Sequence, residues 1–237
     1  MMSPARRIFV RAAMAFGLAF GLGATAPRAQ AQLHGIDVSN YQGNVNWTSV
    51  KNAGNSFAFC KATEGTTFTD AYLKQNWAGI HTAGMVRGAY HFGHPGTSAT
   101  TQAQYFVNAV RNAGGFAAGS NSLQLVLDLE TTDGLSPSQV WAWVQSFVAE
   151  IKILTGRPAI IYTGYYFWRD SVGNPTNNLN CPLWIAAYGV SSPMVPPAWG
   201  YWTFWQYSDT GSVPGVSGNV DHDYFNGSLT TLYKFCF

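Results

Sequence analysis

The chain has 237 residues, of which 10% are charged and 15% are aromatic, and its formal net charge is +2. So few charges with so many aromatic residues exclude an intrinsically disordered chain. The length fits one domain or at most two. Aromatic faces stack well on sugar rings, so the composition is compatible with a carbohydrate-active protein, although most aromatic residues in any protein fill its core.

The first 31 residues differ in kind from the rest. They have a basic start, an apolar middle and a small-x-small ending at Ala29-Gln30-Ala31. This pattern indicates a signal peptide over 1–31, and its apolar run is too short for a good membrane anchor. The letters RRIFV at 6–10 also fit a twin-arginine export signal, with an ordinary secretory leader as the alternative. We therefore expect an exported protein, periplasmic or extracellular.

Removal of the leader reverses the sign of the charge. The leader holds four of the 13 basic residues and none of the 11 acidic ones, which leaves nine basic residues and a net charge of −2. No basic stripe survives, and this argues against a nucleic-acid partner. Because 32–237 contains no linker, repeat or low-complexity segment, we expect one catalytic domain, acting as a monomer without a membrane anchor.

The first two thirds of the mature chain alternate β-rich segments with helical patterns. The predicted strands are 34–39, 56–63, 86–92, 123–130 and 158–163. The predicted helices are 46–54, 70–84, 98–113 and 137–155. The last helix is the best marked, with Ser136 as N-cap, Pro137 as first residue, Gln139 as capping-box partner and Gly156 at its end. Such alternation predicts a parallel sheet.

After about residue 163 the pattern changes. A short helical segment at 164–173 is followed by predicted strands at 183–189, 202–208 and 219–225, which lack full helices between them. Eight strands with about five helical connections predict an α/β fold: an irregular TIM-like β/α barrel with a helix-poor C-terminal third. An open doubly wound sheet is the alternative, although no GxGxxG loop is present.

Three cysteines remain in the mature chain. Cys60 lies in an apolar segment and fits a small buried hydrophobic residue. Cys181 and Cys236 lie in loop-like or terminal surroundings. In an oxidising compartment these two could form a disulfide that fixes the C-terminus, with three free thiols as the alternative.

Two carboxylates end the apolar segment LQLVLDLE at 123–130. By strand alternation Leu125, Leu127 and Leu129 share one face, while Val126, Asp128 and Glu130 share the other. In a barrel, the leucine face would meet the outer helices. The two acids would then point inward at the C-terminal end of the strand, where barrel enzymes place their catalytic groups.

Other acids also lie at predicted strand ends: Asp37, Glu64, Asp221 and Asp223. In a closed barrel these ends converge on one cleft. Clustered carboxylates separate one another's pKa values, so that one stays protonated while others are ionised. Glycoside hydrolysis needs such a combination. The structural alternatives are a turn cap for Asp37 and an ion pair of Glu64 with Lys61 or Arg87.

Two other functions have to be weighed. His91 and His94, with His222, raise the alternative of a metal-dependent peptidoglycan amidase or deacetylase. No HExxH motif occurs and Pro95 argues against a helix through the first two, so no metal or cofactor is expected. The second alternative is a non-catalytic wall-binding barrel, against which the complete set of acids argues.

The segments GIDVSNYQG, FAFCKATEGTTFTD, GAYHF, LVLDLE, IIYTGYYFW, LWIAAYG, FWQYS and VDHDYFNG occur in this order between about 34 and 227. Together they resemble glycoside hydrolase family 25, the Chalaropsis-type lysozymes. The resemblance implies an irregular eight-stranded β/α barrel. It also implies hydrolysis of the β-1,4 bond between N-acetylmuramic acid and N-acetylglucosamine in the glycan strands of peptidoglycan.

The resemblance assigns roles by matching segments. Glu130 resembles the general acid, Asp128 and Asp37 the other catalytic carboxylates, and Asp221 the fourth acid. The implied cleft residues are Glu64, Tyr90, Tyr162, Trp184 and Gln206.

This chain departs from the family pattern at two positions. Cys60 stands where an aliphatic residue is expected, and Asp223 stands where Asn is more frequent, which leaves its role open. For the mechanism our hypothesis is attack by the substrate's acetamido oxygen with Asp128 orienting the amide. A direct carboxylate nucleophile and inversion by water are the alternatives.

Overall fold

The structure, a computed structural model, describes residues 32–237; the predicted leader at 1–31 lies outside this range. The strands are β1 Leu33–Val38, β2 Phe57–Glu64, β3 Phe68–Thr69, β4 Val86–Phe92, β5 Val126–Asp128, β6 Ile160–Gly164, β7 Leu183–Ala186, β8 Phe204–Gly211 and β9 Val220–Phe225. The helices are α1 Trp47–Asn52, α2 Leu73–Thr82, α3 Ala99–Asn112, α4 Pro137–Thr155, α5 Tyr165–Ser171 and α6 Leu229–Leu232. No helix in this part of the chain is long and apolar enough to span a membrane.

Eight of the strands close into a barrel. Strand β1 pairs with both β2 and β9, and the remaining order is β2-β4-β5-β6-β7-β8-β9. All neighbours are parallel except β9, which is antiparallel to β1 and β8. This direction follows from the connection between β8 and β9, which contains no helix to carry the chain back along the barrel. The predicted irregular barrel is confirmed, and the open sheet is excluded by its closure.

Aromatic rings fill the interior of the barrel. Phe57 and Phe59 point inward from β2, and the Phe59 ring stacks on Trp184 with centroids 4.3 Å apart. Glycine provides the space on both neighbouring strands. A Cβ at Gly35 of β1 would overlap the Phe57 ring, and one at Gly88 of β4 would overlap the Phe59 ring. Side chains therefore fill this part of the barrel interior completely.

The helices cover the outer face of the parallel strands. The outward leucines of the LQLVLDLE segment pack in one cluster with Trp143 and Phe147 of α4, as strand alternation predicts. Helix α4 has the predicted bounds. The Ser136 N–H donates to Gln139 Oε1 at 3.0 Å, and Gly156 ends the helix with φ of 74°. The leucine face of the segment therefore packs against the helical layer, and the opposite face points into the barrel.

Strand β5 is shorter than the predicted 123–130. The first residues of that segment meet the C-terminus of the chain instead: Leu123 forms a β-bridge with Cys236, and the Gln124 N–H donates to the Phe235 carbonyl oxygen at 2.9 Å. This part of the segment closes the bottom of the barrel.

The structure contradicts the predicted disulfide, because Cys181 and Cys236 are both free thiols. The two residues belong to different layers of the protein. Cys181 is buried in the outer hydrophobic cluster, where its carbonyl oxygen accepts a hydrogen bond from Trp199 Nε1 at 2.7 Å. Cys236 packs against the cluster inside the barrel. Hydrophobic packing thus fixes the C-terminus where a covalent link was predicted.

Candidate active site

A polar cleft opens at the end of the barrel to which the parallel strands point. Its lining includes all four predicted catalytic acids and four of the five predicted cleft residues, and it adds Tyr188 and Asp209. The lining residues are Asp37, Tyr90, Asp128, Glu130, Tyr162, Trp184, Tyr188, Gln206, Asp209 and Asp221. The structure therefore brings together residues that lie up to 184 positions apart in the sequence.

The pair Asp128 and Glu130 forms one wall of the cleft. Asp128 is the last residue of β5 and is 6% exposed, while Glu130 follows the strand and is exposed. Burial raises the pKa of both carboxyl groups, and the charge of Glu130 further raises the pKa of Asp128. Lys61 opposes these shifts, since its charge lowers both pKa values. The pair consequently holds a proton to higher pH than ordinary carboxyls do.

Opposite this pair, hydrogen bonds fix Asp37 in one orientation. The Oε1 atom of Gln206 accepts from the Tyr162 hydroxyl at 2.7 Å and from the Tyr188 hydroxyl at 2.5 Å. With its oxygen engaged, Gln206 must present its amide nitrogen on the other side, and Nε2 donates to Asp37 Oδ2 at 2.7 Å. This relay holds the Asp37 carboxyl in the wall of the cleft that faces Asp128 and Glu130.

Strand β9 adds two more carboxyls to the Asp37 side. Asp221 pairs with Asp37 in the β1–β9 register, and burial together with the charges of Asp209 and Glu130 raises its pKa to about 6. Asp223 lies two residues further along the same inward face and is completely buried. Its Oδ1 atom accepts a hydrogen bond from Trp184 Nε1 at 2.8 Å.

Glu64 is the predicted cleft residue that lies outside the lining. Its two oxygens accept from Lys61 Nζ at 2.6 Å and from His94 Nε2 at 3.2 Å, and His94 also contacts Asp133 at 3.1 Å. These residues link the ends of β2 and β4 to the segment after β5. The ion-pair alternative thus describes Glu64 better than direct lining of the cleft, with Lys61 rather than Arg87 as its partner.

The histidines do not converge. His91 is buried between α3 and α4, with Nδ1 at 2.8 Å from Thr63 Oγ1 and Nε2 at 2.9 Å from Gln102 Oε1. Both nitrogens are therefore engaged, and burial lowers the pKa of His91 to about 4. His222 lies on the outer face of β9 beside Tyr207. Within residues 32–237 there is no group of three or more His, Cys, Asp or Glu side chains placed to hold a metal ion.

Sequence reasoning overlooked three residues of this region. Tyr188 lies just beyond the end of β7, and Asp209 lies in the second half of β8. Both are near the strand ends that form the cleft. Their position near predicted strand ends was the sequence feature that could have identified them as cleft residues. Lys61 was considered only as a partner of Glu64, although it follows Phe57 and Phe59 at the two-residue period of the inward face of β2.

Comparison with known proteins gives a consistent result. Residues 36–216 match the model of glycosyl hydrolases family 25. The chain is 44% identical to lysozyme M1 of Streptomyces globisporus over 87% of its own length and 72% of that protein. It is 37% identical to the N,O-diacetylmuramidase of Arthroderma benhamiae over 92% of its own length and 94% of that protein.

The fold agrees with these similarities. The chain superimposes on the crystal structure of the bacterial lysozyme from Streptomyces coelicolor with a TM-score of 0.82 and 43% identity, covering 87% of this chain and 97% of that one. The family model, the relatives and the barrel with its acidic cleft all lead to one assignment. The chain belongs to glycosyl hydrolases family 25.

Proposed function

We propose that this family 25 enzyme is a lysozyme that cuts the glycan strands of peptidoglycan between N-acetylmuramic acid and N-acetylglucosamine, with Glu130 as general acid. The observation that carries the assignment is the Asp128–Glu130 pair with raised pKa values in a cleft that also contains Asp37 and Asp221. The names of the relatives, a lysozyme and a muramidase, support the choice of substrate.

Glu130 is suited to protonate the leaving oxygen. It is the more exposed member of the pair, yet the cleft around its carboxyl removes enough water to raise its pKa. Glu130 therefore carries a proton at a pH at which an ordinary carboxyl has lost it. When Glu130 gives this proton to the glycosidic oxygen, the bond from that oxygen to the anomeric carbon breaks. Positive charge then develops on the sugar ring.

The carboxyls on both walls stabilise that charge. In our hypothesis the carbonyl oxygen of the substrate's 2-acetamido group attacks the anomeric carbon, and Asp128 accepts a hydrogen bond from the amide nitrogen. Asp37, fixed by Gln206 on the opposite wall, and Asp221 supply further negative potential. Water then opens the cyclic intermediate and restores the proton to Glu130.

The aromatic residues of the cleft form its floor. Tyr90, Tyr162 and Trp184 form a contiguous group, with the Trp184 ring 4.7 Å from Tyr162 and 6.4 Å from Tyr90. Tyr162 and Trp184 are 6% and 2% exposed, so of these three Tyr90 offers the most ring surface to the apolar face of a sugar. We further propose that the enzyme reaches peptidoglycan by export through its leader, which the basic, apolar and small-residue pattern at 1–31 supports.

Mass spectrometry of digested peptidoglycan tests the proposal. Fragments with N-acetylmuramic acid at the reducing end are expected. Reducing N-acetylglucosamine ends or freed peptides would overturn the bond assignment in favour of a glucosaminidase or an amidase. Proton NMR of the first-formed product separates the retaining routes from inversion by water. Acetamido assistance and a direct carboxylate nucleophile both keep the anomeric configuration, and an inverted product would eliminate both.

A further inference from the structure

Asp223 is a buried acid for which the proposed chemistry has no role. Its side chain is fully buried, and it lies below Asp221 on the inward face of β9. One carboxylate oxygen, Oδ1, accepts from Trp184 Nε1. The other, Oδ2, is buried and has no hydrogen-bond donor among the described residues. An unpaired carboxylate oxygen in such a place is costly, because it has lost its hydration without gaining a hydrogen bond.

The groups around Asp223 supply no positive charge. Asp37 lies on the neighbouring strand β1, opposite Asp221 and diagonally across from Asp223 in the β1–β9 register. Tyr207 of β8 is also near, since burial, the adjacent Tyr224 and the charge of Asp223 together raise the pKa of its phenol. None of the four ion pairs found within residues 32–237 involves Asp37, Asp221 or Asp223. A doubly charged Asp37–Asp223 pair would therefore be uncompensated in a buried position.

A single proton would remove both the unpaired oxygen of Asp223 and the uncompensated double charge. Placed between the two carboxyls, it gives the unsatisfied oxygen of Asp223 a partner and reduces the charge of the pair to a single negative one. We propose that Asp37 and Asp223 share a proton, and that Asp223 is thereby a positioning residue that holds Asp37 and Trp184 in place for the reaction.

The hydrogen bonds show what this sharing accomplishes. Asp37 is held from one side by Gln206 Nε2 and from below by the shared proton, so that its carboxyl has one orientation toward the cleft. Trp184, whose ring stacks on Phe59 and lines the cleft, is tied to the same group through its indole N–H. Asp223 thus couples a catalytic carboxyl to the aromatic floor. Burial raises the pKa of both carboxyls, in agreement with a retained proton.

Infrared spectroscopy at pH 7 tests the shared proton directly. An Asn side chain presents an N–H donor where the acid presents its O–H, so the remaining carboxyl of the pair ionises in each single variant. Asp223→Asn and Asp37→Asn are each expected to lose the absorption of one protonated carboxyl. The double variant is expected to lose no more than either single one. An unchanged spectrum for Asp223→Asn, or a loss of two carboxyls in the double variant, would overturn the shared proton.

The positioning role has its own test, which rests on the proposed lysozyme activity. Asp223→Leu removes both the donor to Asp37 and the acceptor for Trp184, whereas Asp223→Asn retains both kinds of hydrogen bond. We expect Asp223→Asn to be at least tenfold more active on peptidoglycan than Asp223→Leu. The reason is that a small misplacement of a catalytic group lowers the rate by up to about 10²-fold. Equal activities would contradict positioning. If Asp223→Leu does not fold, the infrared series alone decides, and it holds or fails whether or not the enzyme cuts muramic acid bonds.

Discussion

The two ends of the barrel interior use the same strands for opposite purposes. Toward the bottom, the inward positions of β8 and β9 carry Phe204 and Phe225, whose rings lie 5.1 Å apart. Toward the mouth, the inward positions carry Gln206 on β8 and Asp221 on β9. Because inward positions recur every second residue, a strand passes from floor to active site within one or two steps.

The two ends also contribute differently to the free energy of folding. Each ring on the floor stabilises the fold, typically by about 1.5–3 kcal/mol on burial. At the mouth, burial raises the pKa values of the carboxyls, which means that their ionised forms oppose folding. This enzyme therefore derives its stability from the floor, while its catalytic groups are held above the floor at an energetic cost.

Removal of the acid at the mouth should have the largest effect. We expect Glu130→Gln to lower kcat by about 10²–10⁴-fold, because the amide cannot protonate the leaving oxygen, while the melting temperature stays the same or rises. Reducing ends released from peptidoglycan measure the change. Glu150→Gln on α4 is the matched control, since this carboxyl accepts a bond from Gln104 on the outer surface. A Glu130→Gln enzyme as active as the control would contradict the assignment of the acid.

An added methyl group at the floor should have the opposite profile. In Gly88→Ala the new Cβ would overlap the Phe59 ring, so we expect a loss of about 1–3 kcal/mol in the free energy of unfolding. Urea denaturation measures it. The smaller Leu at position 59 should relieve part of the loss, so the double variant with Phe59→Leu should be less impaired than the sum of the two changes. Full additivity would show that the two sites do not interact.

The smallest expected effect concerns pH. The pKa of Asp221 is raised to about 6 in the folded chain, above its unfolded value, so the folded state binds this proton more tightly. Its ionisation therefore lowers stability as the pH rises from about 4 to about 6. We expect Asp221→Asn to match the wild type near pH 4 and to exceed it above pH 6. The difference should be on the order of 1 kcal/mol, because solvent screens this partly exposed group.

Thermal melts across this pH range, with Asp170→Asn as control, check the prediction. Asp170 pairs with Arg169 on the surface, which lowers its pKa, so its removal should give no gain above pH 6. A stability gap for Asp221→Asn that is independent of pH would contradict the expected ionisation.

Much of this arrangement can be predicted from the sequence. The alternation of LQLVLDLE places Leu125, Leu127 and Leu129 under α4 and the two acids in the cleft. The capping signals at Ser136 and Gly156 give the bounds of α4. Both are local: a pleat has a period of two residues, and a helix cap is formed by residues close in sequence. The convergence of the acids follows from barrel closure.

The remaining features depend on contacts between distant segments. Leu123 leaves the predicted strand because it pairs with Cys236 at the other end of the chain. The free state of Cys181 is set by the layer in which it packs, which spacing does not encode. The orientation of Asp37 depends on a relay through Gln206 that joins residues 169 positions apart. Neither composition nor periodicity carries such information.

The filled interior has a consequence for how a polymer reaches the cleft. Since Gly35 and Gly88 make room for two phenyl rings, the barrel is a solid column with a single open end. A glycan strand has no tunnel to thread and can only lie across the mouth. The glycan therefore meets only the side chains at the strand ends, and the length of the barrel adds nothing to the surface that binds it.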